Sequence, residues 1–283
     1  MLKIPGGIYN VGTNSSDGFP MDKEGPQIKI HHPSFYIDEN TITNEEFSVF
    51  VNETGYVTDA EQIGWSFVFH YFLSEKIKSK SKLVPNLEWW YAVIGADWAH
   101  PEGPGSSIVS RENHPVVQVS HNDAIAYCKW AGKRLPTEVE WEIAAKGGTD
   151  FEKYFWREEL LVEDNYQCNI WQGDFPRVNT LKDGFAGTAP AKWYEPNAYG
   201  LYQPIGNVWE WCSNLARINL SEFQEHDSSY YWENYQGIDD KYYAVRGGSF
   251  LCHESYCNRY RISARNGNTG MSASNNLGFR CVK

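Results

Sequence analysis

Glycine and proline punctuate this chain often enough, 24 and 13 of them in 283 residues, that long helices and long strands are not expected. The segments between these breaks are aromatic: Phe, Trp and Tyr make up 16% of the chain, 12 residues being tryptophan. Large rings spread through short segments bury much apolar area with little regular structure. With 41% hydrophobic residues the length supports a sizeable core. The expectation is one loop-rich α+β domain of low regular secondary structure over residues 1–283.

The formal charge of −11 and a pI near 5.2 set a field that repels nucleic acid, and no run of Lys or Arg opposes it. Met1-Leu-Lys-Ile-Pro-Gly-Gly7 lacks a signal-peptide pattern and no later run reaches membrane-spanning length, so a cytoplasmic monomer with no membrane association is expected. Six cysteines, at 128, 168, 212, 252, 257 and 281, are too sparse for a disulfide scaffold, and a reducing compartment favours thiol chemistry or metal binding. Histidines 31, 32, 70, 100, 114, 121 and 226 form no HxxxH or HxH set and read as hydrogen-bonded structural residues.

Along the chain, Ile4 to Val11, Ile28 to Ile30 and Phe35 to Ile37 read as strands. Residues 44–55 read as a helix with Phe47, Phe50 and Val51 on one face, Thr43 as cap and Gly55 as stop. Residues 56–115 show no sustained period and read as a long packed excursion, with Lys76 to Lys82 as a solvated loop. His114 to Val119 reads as a strand and Asn122 to Ala131 as a helix stopped by Gly132. Thr137 and Glu140 have capping-box spacing ahead of a helix that turns Trp141, Ala144 and Ala145 to one face. From Asn165 to Trp211 the chain reads as Asx-rich turns that expose carbonyl and carboxylate oxygens, the ligand chemistry of calcium. Residues 215–243 read as a polar surface loop.

The stretch with the most chemistry is Arg246-Gly-Gly-Ser-Phe-Leu-Cys-His-Glu-Ser-Tyr-Cys-Asn-Arg-Tyr-Arg261. Its thiols, Cys252 and Cys257, are five residues apart. On a helix that offset rotates the second side chain by roughly 140°, and on a strand it sends it to the opposite face. The backbone must bend if both sulfurs are to meet. Converged, they can form a disulfide, supply half a zinc site, or hold one soft ion such as Cu(I) between two thiolates.

Arg134-Leu-Pro-Thr-Glu-Val-Glu-Trp141, Gly206-Asn-Val-Trp-Glu-Trp211, Arg246-Gly-Gly-Ser249 and Leu277-Gly-Phe-Arg280 together resemble the signatures of the formylglycine-generating enzyme (sulfatase-modifying factor) superfamily. The likeness runs from Ile4 to Cys281 and implies a fold related to C-type lectin domains. That fold also serves sulfoxide synthases and binding modules, so these motifs address fold more than function. Cys252-His-Glu-Ser-Tyr-Cys257, followed by Arg259-Tyr-Arg261, Ala264-Arg265, Asn268-Thr269 and Ser272-Ala-Ser274, is similar to the active-site segment of the true enzymes. Thr54-Gly-Tyr56, Ser66-Phe-Val-Phe69, Trp98-Ala-His-Pro-Glu-Gly-Pro104 and Asn169-Ile-Trp-Gln-Gly173 match the same branch.

The resemblance implies a copper-dependent oxidase that uses O2 and a thiol reductant to convert the Cys of a Cys-X-Pro-X-Arg motif in an unfolded sulfatase to Cα-formylglycine. Cys252 and Cys257 would bind Cu(I), the substrate thiol would join as a third ligand, and loss of a Cβ hydrogen would lead through a thioaldehyde to the aldehyde. Ser249 and Trp209 would line the pocket for oxygen and the substrate thiol. Two structural calcium sites are implied, one at Asn169, Ile170, Asp183 and Phe185, the other at Gln203, Gly206, Val208 and Glu210. Gln203 stands where the family commonly has Asn. Cys128 and Cys281 match a pair bridged in secreted relatives and are expected here as free thiols. Ile262 and Ala144 or Ala145 replace the cysteines of a second family bridge. Cys168 and Cys212 read as structural and His253 as a hydrogen-bonded loop residue. The competing readings are a non-catalytic peptide- or ligand-binding module on the same fold, an iron-dependent sulfoxide synthase, for which the histidine cluster is missing, and a plain Cys252–Cys257 disulfide.

Overall fold

Side-chain caps open every α-helix in the computed structural model, which describes residues 1–151, 153–238 and 241–283. In chain order the strands and helices used below are β1 (Leu2–Ile4), β2 (Gly7–Val11), β3 (Ile28–His32), β4 (Phe35–Ile37), α1 (Asn44–Thr54), α2 (Asp59–Ile63), β5 (Trp65–Phe69), α3 (Glu75–Lys78), β6 (Lys82–Val84), β7 (Leu87–Ile94), α4 (His121–Trp130), α5 (Glu138–Lys146), β8 (Leu161–Val162), β9 (Asn165–Tyr166), β10 (Trp209–Leu215), α6 (Ser228–Asn234), β11 (Tyr242–Arg246), β12 (Asn266–Thr269) and β13 (Leu277–Gly278). Thr43, Thr58, Ser120 and Thr137 each accept the N3 backbone N–H of the helix they open, while the N3 carboxylate reaches back. Gly55, Gly64 and Gly147 end α1, α2 and α5 in the left-handed conformation.

The strands form small sheets: β1 with β4, β2 with β3, β8 with β9, the three-stranded order β5-β7-β6, and the four-stranded order β12-β11-β10-β13. Within the last, β10 runs antiparallel to β11, with Glu210 opposite Arg246, and parallel to β13, with Trp209 opposite Leu277. A bridge between Phe67 and Ser274 joins the three-stranded sheet to the segment that leads into β13. Helix α5 packs on β10, β11 and β2 with Glu138 through Ala145 all buried.

This core contains charge. Glu142 pairs with Arg246 at 2.7 Å, Glu138 with Arg265 at 2.6 Å, Glu24 with Arg261 at 2.7 Å and Glu210 with Arg280 at 2.6 Å, all eight side chains buried. Burial works to raise the Glu138 carboxyl, but the neighbouring Arg265 and Arg246 charges outweigh it and hold it below the usual carboxylate range. Trp141 Nε1 donates to Glu210 at 2.8 Å, so that carboxylate is also tied to α5.

Several expectations change. Pro5 and Gly6 split the first expected strand into β1 and β2. The 56–115 excursion contains α2, the β5-β7-β6 sheet and α3, so Lys76 to Lys82 is a helical turn leading into a strand instead of a loop. His114 to Val119 forms no strand: Pro115 makes an isolated bridge to Thr43, Val116 N–H bonds the Ile42 carbonyl and Gln118 turns to a positive φ of 61°. The turn-rich reading stops short, since Trp209 begins the central strand β10, buried on both faces. The 215–243 loop contains α6 and buries Leu220, Phe223 and Tyr231; its residues 239 and 240 lie outside those described. Among the described residues no helix is long and apolar enough to cross a membrane.

Arg280→Met would leave the Glu210 carboxylate buried with Trp141 as its remaining charge-stabilising partner, at a cost of about 3–5 kcal/mol. Urea unfolding of this variant should show that loss, and Glu210→Leu/Arg280→Met should recover part of it. A single-variant loss below about 1 kcal/mol would show that the pair is not a structural tie.

Candidate active site

Strand β11 ends at Arg246 and the chain then turns sharply through Gly247 and Gly248, both at positive φ (91° and 74°). A Cβ on Gly247 would sit 2.5 Å from the Pro204 carbonyl oxygen and one on Gly248 about 3 Å from Tyr260. Only glycine fits both the dihedral and the space. Two turns follow: Cys252 N–H donates to the Ser249 carbonyl at 2.8 Å, and Cys257 N–H to the His253 carbonyl at 2.7 Å. The bend that the five-residue spacing demands is therefore built from backbone hydrogen bonds. It brings Cys252 Sγ within 2.6 Å of Cys257 Sγ, both buried.

The two thiols differ in acidity. Burial pushes Cys252 well up, and its hydrogen bond with Cys257 adds to that. Cys257 is lowered, first by the Cys252 hydrogen bond, with burial opposing and the Arg259 guanidinium helping. Arg259 is itself braced by Asp22, Nε to Oδ2 at 2.6 Å. The pair is thus polarised toward one thiolate, on Cys257.

These sulfurs lie in a cavity of about 480 Å³ that Ser249 and Trp209 also line, so the four residues singled out from sequence converge on one space. One wall is aromatic. Phe67 and Phe69 come from β5, Trp89 and Trp90 from β7, and Phe175 stacks on Tyr256 at 4.4 Å with Trp89 edge-on to both. Another part of the lining is amide and hydroxyl: Asn266 and Asn268 on β12, then Ser272, Ser274 and Asn276. Sequence alone gives no role at the site to the β7 tryptophans or Asn276. Their signal is weak, because β7 shows no clean alternation and Asn276 follows a run of small polar residues.

His253 bonds Ser255 through Nδ1 at 2.8 Å, the loop role expected of it. His121 is buried on Cys212 O and stacked on Tyr243, and His32 lies between Pro33 O and Ser228 Oγ. Cys168 and Cys212 are buried, and burial raises both thiols. Cys128 Sγ and Cys281 Sγ stand 3.3 Å apart, buried.

The first expected calcium set is also drawn together. Asp183 Oδ2 accepts the Ile170 N–H at 3.0 Å and Oδ1 the Phe185 N–H at 3.1 Å, with burial raising the Asp183 carboxyl. Among the described residues, Asn169 Oδ1 is buried without a hydrogen-bond partner. In the second set Gln203 Oε1 is likewise a buried acceptor without a partner, its Nε2 donating to Pro190 O at 2.6 Å. The Glu210 carboxylate, however, is committed to Arg280 and Trp141. The two sets adjoin, since Asn207 N–H bonds the Asn169 carbonyl at 2.8 Å.

Fold and cavity together define a loop-rich α+β domain that carries a buried, polarised dithiol beneath an aromatic wall. The sulfatase-modifying factor enzyme 1-like family matches the chain over residues 1–283. The chain belongs to that family. It is 50% identical over 283 residues to the formylglycine-generating enzyme of Thermomonospora curvata, an alignment covering 100% of this chain and 92% of that protein. It is also 42% identical over 286 residues to inactive C-alpha-formylglycine-generating enzyme 2 of Bos taurus, covering 100% and 87%. Among solved structures, PvdO from Pseudomonas aeruginosa shares the fold at a TM-score of 0.66, with 19% identity, 99% of this chain and 92% of that one covered.

Alkylation of the reduced native protein should label Cys257 before Cys252, with a rate midpoint below the pH of an ordinary cysteine. Arg259→Gln should move that midpoint upward. Peptide mapping that finds Cys252 labelled first would reverse the assignment of the thiolate.

Proposed function

We propose that this protein converts the cysteine of a Cys-X-Pro-X-Arg segment in an unfolded sulfatase to Cα-formylglycine, using Cu(I), O2 and a thiol reductant. Family membership does not settle activity, because a relative described as inactive aligns over the whole chain. The observation that carries the reading is the convergence of Cys252 and Cys257 on the floor of a cavity large enough for an extended peptide segment. A binding module has no use for two thiols there.

The donor set fits copper. Among the described residues no cluster of three or more His, Cys, Asp or Glu side chains is placed to hold a metal. Two soft thiolates suit Cu(I), whereas a structural zinc site requires four ligands. Cu(I) between these sulfurs would supply a soft, redox-active centre with room for a third sulfur donor. At their present 2.6 Å separation the sulfurs would have to move apart to admit the ion, and both must be deprotonated, Cys252 giving up its proton on binding.

The rest of the work falls to the chain's own residues. The aromatic wall offers flat apolar surface for the proline and neighbouring side chains of an extended substrate. The amide and hydroxyl wall offers donors and acceptors to its main chain. Trp209, 8% exposed, closes one side of the thiol floor against water, and Ser249 presents a hydroxyl beside it. In net terms the substrate cysteine's methylene thiol and O2 take two electrons and two protons from the reductant to give the aldehyde, hydrogen sulfide and water. Asn169, Asp183 and the Ile170 and Phe185 carbonyls would hold one Ca2+. Gln203 with the Gly206, Val208 and Glu210 carbonyls would hold a second, the orphaned Asn169 and Gln203 oxygens being acceptors in want of a cation.

Reduced protein should bind one Cu(I) per chain and, with peptide, O2 and a thiol reductant, yield a product that mass spectrometry identifies by loss of thiol and gain of aldehyde. Cys257→Ala should abolish this. Equal, negligible turnover by copper-loaded wild type and Cys257→Ala would sink the reading. Removing calcium with a chelator should lower the melting temperature and leave the Cu(I) stoichiometry unchanged; an unchanged melt would reject calcium as a structural element.

A further inference from the structure

We propose that Asn276 is a positioning residue, which fixes the Ser249 hydroxyl as a hydrogen-bond donor facing the dithiol cavity. Ser249 is fully buried, and its Oγ accepts from Asn276 Nδ2 at 2.9 Å and from the Leu251 N–H at 3.3 Å. A hydroxyl has two acceptor lone pairs and one proton to give. Both acceptor positions are taken, so the proton is what remains. Among the described residues no protein acceptor receives it. Ser249 lines the cavity beside Cys252 and Cys257, which is where an acceptor from outside would arrive.

Asn276 lies between two hydroxyls, and its amide oxygen faces Ser274 while its Nδ2 group faces Ser249. Ser274 Oγ donates to that oxygen at 2.7 Å. The backbone behind it is held from two further sides: Asn276 O accepts the Trp209 N–H at 2.9 Å, and Ser274 O accepts the Gln118 N–H at 3.0 Å. The order Ser274, Asn276, Ser249 is thus a directed chain of hydrogen bonds, each proton pointing toward the cavity. Turned by 180°, the amide would instead take the Ser249 proton and leave the cavity without a donor.

Resting on the function proposed above, this inference gives the chain a purpose. Reduction of O2 and departure of sulfur both place negative charge next to the thiol floor, and a pre-aimed hydroxyl stabilises that charge as it develops without reorganising. A donor of this kind acts on the transition state, so its loss appears in kcat and not in peptide binding.

Two measurements test this. Neutron diffraction of the reduced, metal-free protein should show the Ser249 deuteron directed into the cavity and two deuterons on the Asn276 atom facing Ser249. A Ser249 deuteron lying on the line to Asn276 overturns the proposal. In the copper-loaded enzyme, Asn276→Asp presents a carboxylate that takes the Ser249 proton. It should lower kcat by about tenfold to a hundredfold with peptide KM within about threefold of wild type. In a Ser249→Ala background the same substitution should cost no more than about a further twofold, because the donor is already gone. Losses that multiply across the two sites, or a change confined to KM, overturn it, as a purely structural role for Asn276 would produce them. Wild type that makes no aldehyde while its neutron map shows the expected deuterons upholds the orientation and refutes the functional reading alone.

Discussion

Buried arginine–carboxylate pairs hold the active-site loop at both ends. Arg246, paired with Glu142, lies just before the glycine turn that leads to Ser249, and Arg261, paired with Glu24, lies just after the second thiol. Arg265 on Glu138 fastens the approach to β12, and Glu210, next to Trp209, is locked by Arg280 and Trp141. Each pair joins residues 70 or more positions apart. Such pairs add little net stability over an apolar core, but breaking one strands a charge in low dielectric. That asymmetry suits a domain of short elements, which has few extended ladders to fix the position of a loop.

The consequence at the site is a division of labour between sheets. The four-stranded sheet and its arginine ties position the thiol floor, Trp209 and the amide wall. The β5-β7-β6 sheet carries most of the aromatic wall and meets the other sheet at the Phe67–Ser274 bridge. Polarisation of the dithiol comes first from the Cys252 hydrogen bond to Cys257, with help from the Arg259 guanidinium, which a further ion pair with Asp22 holds from the N-terminal region.

Local chemistry was legible in the sequence wherever it is local in space. The Thr43 cap, the Thr137 capping box, the Gly55 stop and the need for a bend between Cys252 and Cys257 all depend on residues within a few positions of one another, and all are present. Strand β10 was hidden because Trp209 to Asn214 is buried on both faces and shows no period-two alternation. Strand β7 was hidden for the opposite reason: most of its residues are half-buried or exposed, and Trp89, Trp90 and Tyr91 are large whichever way they point. The arginine ties and the Asn276–Ser249 bond were out of reach because their partners are brought together by the fold alone. The resemblance to a known family placed Ser249 and Trp209 beside the thiols, which residue chemistry by itself did not.

The aromatic hairpin of β6 and β7 contributes no donor to the dithiol and none of the four buried arginine–carboxylate pairs. Its outer edge, at Leu83 and Leu87, is exposed. Under the proposed function, the surface that would grip a peptide and the thiol floor are therefore separately encoded and meet at a narrow seam. Substituting one excursion of the chain would then rewrite what is gripped, while the residues that set acidity and geometry stay as they are.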